Sequence, residues 1–393
     1  VSKFLPYGTQ SIGADDVRAV VRALKSDRLT QGPEVERFEE AFAKFCGAPY
    51  AVAVSSGTAG LHLAALTAGL GPGDEAVTTP LTFAATANCV LYAGASPRFA
   101  DVHDSDLGLD PAAVRKAVTP KTRALLPVHF AGQPNVWGAK RDFSRRPDFM
   151  VIEDACHALG AEVRSGNRWE RIGSCSAADM AVFSFHPVKH VTTGEGGMVT
   201  TRDRKFYDRL RLLRSHGIER ERSRFVYPGE AGAWSYEMQT LGFNYRITDI
   251  QCALGLSQLK KAPRFIARRR EIASLYRKAL SGVPFLSLVP ESEGTRSSYH
   301  LFPVRIDFRA LGLDRSSFMD ALKREGIGTQ VHYIPVPRQP YYRKLGFRPQ
   351  NYPVAERFYS EALSIPMFPA MTDSDVRRVV RVLFKKLKRG VAR

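Results

Sequence analysis

The sequence predicts an α/β protein: a large unit with a mostly parallel central sheet covered on both faces by helices, then a smaller C-terminal α/β unit. Two observations predict it. Short apolar, β-branched runs alternate with segments of helical periodicity from Tyr50 to Thr201, the pattern of strands joined by crossover helices. Small and polar residues also collect immediately after three of those runs, beyond Val54, Ile152 and Phe183, where ligands sit in open parallel sheets.

Each element has its own signal. Val17, Val20, Val21 and Leu24 recur at helical spacing within 14–25, and a second helix is expected over 34–45. Tyr50–Val54 is a β-branched run, after which Ser55-Ser56-Gly57-Thr58 opens an Ala/Leu-rich helix reaching about Gly69. A strand over 75–79, a helix over 83–92 and a strand over 98–102 come next. Asp110-Pro111 supplies a capping residue and a proline at the first helical position. Further strands are expected over 123–130, 148–153, 180–185 and 198–201. Past Thr248 a long helical stretch runs to Leu280, and 299–307 begins a strand, helix, strand, helix series. The expected organisation is an N-terminal segment over 1–13, a large domain over 14–260 and a small domain over 261–393.

The totals exclude several function classes. No stretch approaches the roughly 18 apolar residues that span a bilayer, and Val1-Ser2-Lys3-Phe4-Leu5-Pro6 lacks the apolar run of a signal peptide. Cys46, Cys89, Cys156, Cys175 and Cys252 are scattered and odd in number. That argues against a disulfide framework or a zinc site and for a reducing compartment, so the cytoplasm and no metal are expected. The net charge of +18 raises the local concentration of anions. Zinc-finger spacing, aromatic RNA-binding signatures and a basic zipper are absent, so nucleic acid is not an expected partner.

Three sites carry candidate chemistry. Lys189 follows the run Phe183-Ser184-Phe185-His186-Pro187-Val188 in a loop that Pro187 and Gly194 keep irregular. A lysine there is partly desolvated, and its amine is nucleophilic enough to form a Schiff base; taken alone, a lysine is ordinarily a surface charge. Asp154 ends an apolar strand one strand earlier, with His157 three residues on. A pyridoxal ring needs such an anion beside its ring nitrogen, because the protonated ring is the electron sink; a lone strand-end Asp is as often a cap. Ser55-Ser56-Gly57-Thr58-Ala59-Gly60 lets backbone N–H groups approach a phosphate closely, without being a dinucleotide fingerprint or a P-loop. Phe83 begins the following helix and is the candidate for stacking on a ring, although such a residue is core by default. His186, His190 and His216 receive no role.

Five motifs in order resemble the sugar aminotransferases of the DegT/StrS type, a branch of the fold-type I pyridoxal-phosphate enzymes: Ser55-Ser56-Gly57-Thr58, Glu153-Asp154, Ser184 to Lys189, Gly194-Glu195-Gly196-Gly197 and Gly242-Phe243-Asn244-Tyr245-Arg246. The resemblance covers nearly the whole chain. It implies pyridoxal 5′-phosphate as cofactor, with Lys189 as the Schiff-base lysine, Asp154 at the pyridine nitrogen, His157 near the ring hydroxyl and Phe83 on the ring face. Gly57, Thr58 and Ser184 would hold the phosphate, and Asn244 would reach it from a neighbouring subunit, so a homodimer is implied.

Leu29-Thr30-Gln31-Gly32, the segment 253–261 and Gln330-Val331-His332-Tyr333 are similar to the C4 aminotransferases of pseudaminic acid biosynthesis. That resemblance implies a UDP-linked 4-keto sugar and L-glutamate as partners, with Tyr7, Arg28, Leu29, Thr30 and Tyr333 at the nucleotide sugar. Perosamine and bacillosamine enzymes share most of these motifs. A branch of the family that dehydrates carries histidine in place of the lysine, and Lys189 favours transamination. A non-catalytic cofactor-binding regulator and a nicotinamide-dependent oxidoreductase are the competing readings; the second lacks any dinucleotide fingerprint.

Overall fold

The computed structural model describes residues 3–135, 146, 148–227 and 232–391. Helices α1 (Ala14–Leu24) and α2 (Pro33–Cys46) precede the sheet. The first stretch then reads β1 (Tyr50–Val54), α3 (Gly57–Thr67), β2 (Glu75–Thr78), α4 (Ala85–Tyr92), β3 (Ser96–Phe99), α5 (Pro111–Ala117) and β4 (Thr122–Leu126). It continues with β5 (Met150–Asp154), β6 (Glu162–Ser165), β7 (Arg168–Arg171), β8 (Met180–Ser184), β9 (Gly197–Thr201), α6 (Arg204–Arg214) and the short antiparallel pair β10 (Ile218–Glu219) and β11 (Glu237–Met238).

Seven strands form the central sheet in the order β1-β9-β8-β5-β4-β2-β3. Its strands are near-continuous apolar runs, as burial on both faces requires: Ala53, Val54, Ile152, Val182 and Val199 are each fully buried. All pairings are parallel except those of β9, which runs antiparallel to both β1 and β8. Strands β1, β5 and β8 therefore point the same way and deliver Ser56, Asp154 and Ser184 to one edge. The expected strands at 98–102 and 123–130 are shifted and shortened, the second giving way to a 3-10 turn at Phe130–Gly132. The hairpin β6–β7, which pairs with β13 (Thr295–Arg296), is a separate small sheet that alternation alone does not reveal.

Helix α7 (Asp249–Leu280) is unbroken across residue 260 despite Pro263. Thr248 and Gln251 close a capping box at its start. Asp249 in turn accepts the amides of Gly32 and Glu34 at 2.8 and 3.0 Å, capping α2 from a distance. One end of α7 (Cys252, Leu259, Ala262, Ile266) packs in the core under β1 and β8, and the other (Ile272, Ala273, Tyr276, Leu280) in the core of the small unit. That unit holds the antiparallel sheet β12 (Leu286–Leu288), β14 (Phe302–Ile306) and β15 (Ala362–Ile365), with α8 (Arg315–Arg324) and α11 (Asp373–Val391) packed on it. The short α9 (Pro340–Lys344) and α10 (Pro353–Glu361) lie between.

Helix α1 turns its apolar stripe outward. Val17, Val21 and Leu24 are exposed, whereas Asp16, Ala19 and Ala23 are buried. Asp16 decides the orientation: its carboxylate bonds the Gln258 side chain at 2.8 Å and pairs with Lys261, both on α7. Among the described residues no helix is long and apolar enough to cross a membrane.

Candidate active site

The edge where β1, β5 and β8 end opens into a cavity of about 390 Å³, lined among others by Gly57, Thr58, Phe83, Asp154, His157, Ser184, Lys189, Tyr7 and Tyr333. The loop after β8 carries Lys189 and is pinned at both ends, with Phe185 N on Gly196 O at 2.9 Å and Thr193 N on Phe185 O at 3.0 Å. Burial lowers the pKa of Lys189, against the opposing pull of Cys156 and Asp154, so its amine gives up its proton more readily than that of a solvated lysine.

Asp154 is 6% exposed. Its Oδ2 accepts the Thr86 hydroxyl at 2.6 Å, and its Oδ1 accepts the Cys156 amide at 3.1 Å. Thr82 lies 2.7 Å behind Thr86, so a chain of hydroxyls from α4 and the loop before it orients the carboxylate. His157 Nε2 meets the Tyr333 hydroxyl at 3.0 Å, while its Nδ1 is buried without a partner among the described residues. Burial first, then the charge of Lys189, hold this imidazole well below its ordinary pKa, neutral at pH 7.

Helix α3 begins at Gly57 with Ser56 as its cap, whose hydroxyl accepts from Ala59 N at 3.1 Å. The amides of Gly57 and Thr58, in the first helical turn, have no intrahelical acceptor and suit an anion. Glycine is required here by contact: a Cβ on Gly57 would sit 2.9 Å from Ser184 Cβ, and one on Gly197 2.5 Å from Ser56 O. Phosphate cradle, carboxylate and dry lysine thus surround one space, and the set fits pyridoxal phosphate.

The whole span 10–384 matches the model of the DegT/DnrJ/EryC1/StrS aminotransferase family. The chain belongs to this family. It is 40% identical to the spore coat polysaccharide biosynthesis protein SpsC of Bacillus subtilis over 97% of this chain and 96% of SpsC. The solved structure of PseC from Helicobacter pylori, an aminotransferase involved in pseudaminic acid biosynthesis, superposes with a TM-score of 0.88 at 30% identity, covering 98% of this chain and 100% of that one. The PLP form of the sugar aminotransferase Spr1654 of Streptococcus pneumoniae gives a TM-score of 0.88 at 27% identity over 98% and 99% of the two chains. The protein is therefore a fold-type I sugar aminotransferase, and its cofactor is pyridoxal phosphate.

Within this aminotransferase, Lys189, Asp154, Gly57, Thr58, Phe83, His157, Ser184, Tyr7 and Tyr333 converge on the cavity. Phe83 is 61% exposed, a ring held at the mouth and not in the core. Arg28, Leu29, Thr30 and Asn244 do not line the cavity of their own chain; all four are exposed. Leu29 O accepts Asp249 N at 3.0 Å and Thr30 bridges Thr248, while Asn244 bridges Ser215. Of the unassigned histidines, His186 lines the cavity and His190 is buried beneath it, its Nε2 2.9 Å from Ser298 O. His216 lies outside. Thr86, Glu195, His300 and His332 also belong to the site or its support; Glu195 and His332 lie within segments quoted for the family resemblance, whereas no local motif marks Thr86 or His300 in the sequence.

Proposed function

We propose that the protein transfers the amino group of L-glutamate to C4 of a UDP-linked 4-keto-6-deoxy-N-acetylhexosamine, giving UDP-4-amino-4,6-dideoxy-N-acetyl-β-L-altrosamine, the pseudaminic acid type. The observation that carries the chemistry is the meeting of the dry Lys189 amine and the hydroxyl-braced Asp154 carboxylate in one cavity. The choice of sugar is supported by the likeness to PseC over the full chain and by the segments around Thr30 and Tyr333.

Gly57, Thr58 and Ser184 would hold the cofactor phosphate, Phe83 would cover the ring, and Lys189 Nζ would hold the aldehyde carbon. Bound there, pyridoxal phosphate supplies an electron sink for charge developing at the α-carbon of the amino donor. Asp154 would hold the proton on the ring nitrogen. With the cofactor bound, Lys189 would act as general base toward the donor's α-carbon and as general acid toward C4 of the sugar. Tyr333, held against His157, and Tyr7 orient the sugar. Asn244, together with Arg28, Leu29 and Thr30, would complete the cavity of a neighbouring copy in a cytoplasmic homodimer.

The test is the absorption spectrum of the purified protein with pyridoxal phosphate, before and after L-glutamate, for wild type and Lys189→Ala. A yellow band that glutamate bleaches only in the wild type is expected; the 4-keto sugar should then restore it. A colourless wild type overturns the reading. A coloured one indifferent to glutamate leaves a regulator.

A further inference from the structure

Beneath Lys189 the floor of the cavity is built from a segment that the chemistry above does not use. Residues 298–301 are tied down on every side. Ser298 N bonds Gly132 O at 3.1 Å, Ser298 Oγ bonds His157 O at 3.2 Å, and Leu301 N bonds Ala131 O at 3.3 Å. Arg269, on α7 and fully buried, places one nitrogen against three carbonyls: Met367 at 2.9 Å, His300 at 3.1 Å and Tyr299 at 3.2 Å. Tyr299 is held in the left-handed region at φ 49°, a conformation that costs of order 1 kcal/mol or more for a side chain of this kind and persists only where the surroundings impose it.

The effect of this bracing is to set one ring. His300 is 4% exposed and lines the cavity beside Lys189. Its centroid lies 4.3 Å from that of His157 and 5.6 Å from that of His190. Its Nδ1 is buried with no partner among the described residues, so the Nε2 edge is the one that can meet a ligand. A proton on Nδ1 would bury a donor without an acceptor; a proton on Nε2 avoids that. The ring is not a cation: burial first, with the cationic Arg269 nearby, holds its pKa well below the ordinary imidazole value.

We propose that His300 is a ligand-contacting residue of this site, donating Nε2–H to an oxygen of the bound pyridoxal phosphate on the ring edge nearest His157, and that Arg269 is the positioning residue that holds it there. The inference rests on the cofactor lying against Lys189, as set out above. It explains why a charged guanidinium is buried with no carboxylate partner among the described residues: it fastens the His300 backbone, and through Met367, whose amide bonds Tyr7 O at 2.9 Å, also the wall that carries Tyr7.

The test is the affinity of the cofactor-free chain for pyridoxal phosphate, read from the absorption band in a titration without amino donor. His300→Phe keeps a ring and removes the donor, and its dissociation constant should rise about 10- to 100-fold, the range for one hydrogen bond to a charged acceptor. His300→Gln restores an N–H at similar reach and should recover most of the loss. Arg269→Met should weaken binding in the wild-type background but add nothing in the His300→Phe background. A His300→Phe chain that binds the cofactor as the wild type does overturns the contact; additive losses overturn the role given to Arg269. If the wild type itself develops no band, the cofactor reading fails and this contact with it, an outcome distinct from a His300→Phe chain that binds as the wild type does.

Discussion

Replacing Thr86 by valine removes one hydroxyl and nothing else of consequence to shape. The residue is fully buried, and its Oγ1 donates to Asp154 Oδ2 at 2.6 Å while standing 2.7 Å from Thr82. Thr86→Val leaves the carboxylate with the Cys156 amide on its other oxygen and leaves Oδ2 buried without that donor. A hydrogen bond to a charged group contributes about 1.5–3 kcal/mol, so the cofactor-free chain should lose stability of that order in denaturant unfolding. In the proposed function the same bond would orient the carboxylate toward the ring nitrogen. At about 1.4 kcal/mol per decade, loss of even half of it slows proton abstraction from L-glutamate about three- to tenfold in single-turnover absorption experiments. Thr86→Ser, which keeps the donor, should recover the rate. A Thr86→Val enzyme with unchanged rate and stability would refute the view that the hydroxyl chain sets Asp154.

Gly197→Ala drives a Cβ to 2.5 Å from Ser56 O and 2.8 Å from Gly57 N; with backbone on the other side, a stability loss of about 1–3 kcal/mol and weakened cofactor binding should appear together in unfolding and titration. Lys189 has a folded-state pKa below its unfolded one through burial, so the cation is disfavoured in the folded chain. Stability should rise with pH between that lowered value and about 10.5. Lys189→Met should therefore raise the melting temperature of the cofactor-free chain at pH 7, with the gain fading toward pH 10; a constant gain would contradict the cause. Mixing inactive Lys189→Ala and Asn244→Ala chains should restore roughly a quarter of wild-type activity if each site of a two-fold dimer uses both chains, and none if Asn244 serves its own chain.

Much of this was legible because it is local. The strand-end position of Asp154, the Ser56-Gly57-Thr58 turn and the loop bearing Lys189 are each written in a few consecutive residues, and parallel pairing of β5 with β8 then brings them together. Thr86, His300 and Arg269 were not legible. Each acts through a partner brought near by tertiary packing, and a buried threonine or arginine has the same local pattern as a surface one. The face of α1 was hidden for a related reason: periodicity reports an apolar stripe, but the bonds of Asp16 to Gln258 and Lys261 decide which side meets α7. The exposure of Arg28 and Asn244 on a single chain likewise has no signature in spacing.

The antiparallel course of β9 has a consequence for assembly of the site in time. Ser184 and Gly197 pair directly, so the Lys189 loop is the tip of a hairpin closed between neighbours in sequence. Such contacts form early and at small entropic cost, whereas those joining β1, β4 and β5 wait for long closures. The nucleophile's loop can therefore take its shape before the rest of the cavity exists, and amide exchange during refolding should protect Phe185 and Thr193 ahead of Asp154.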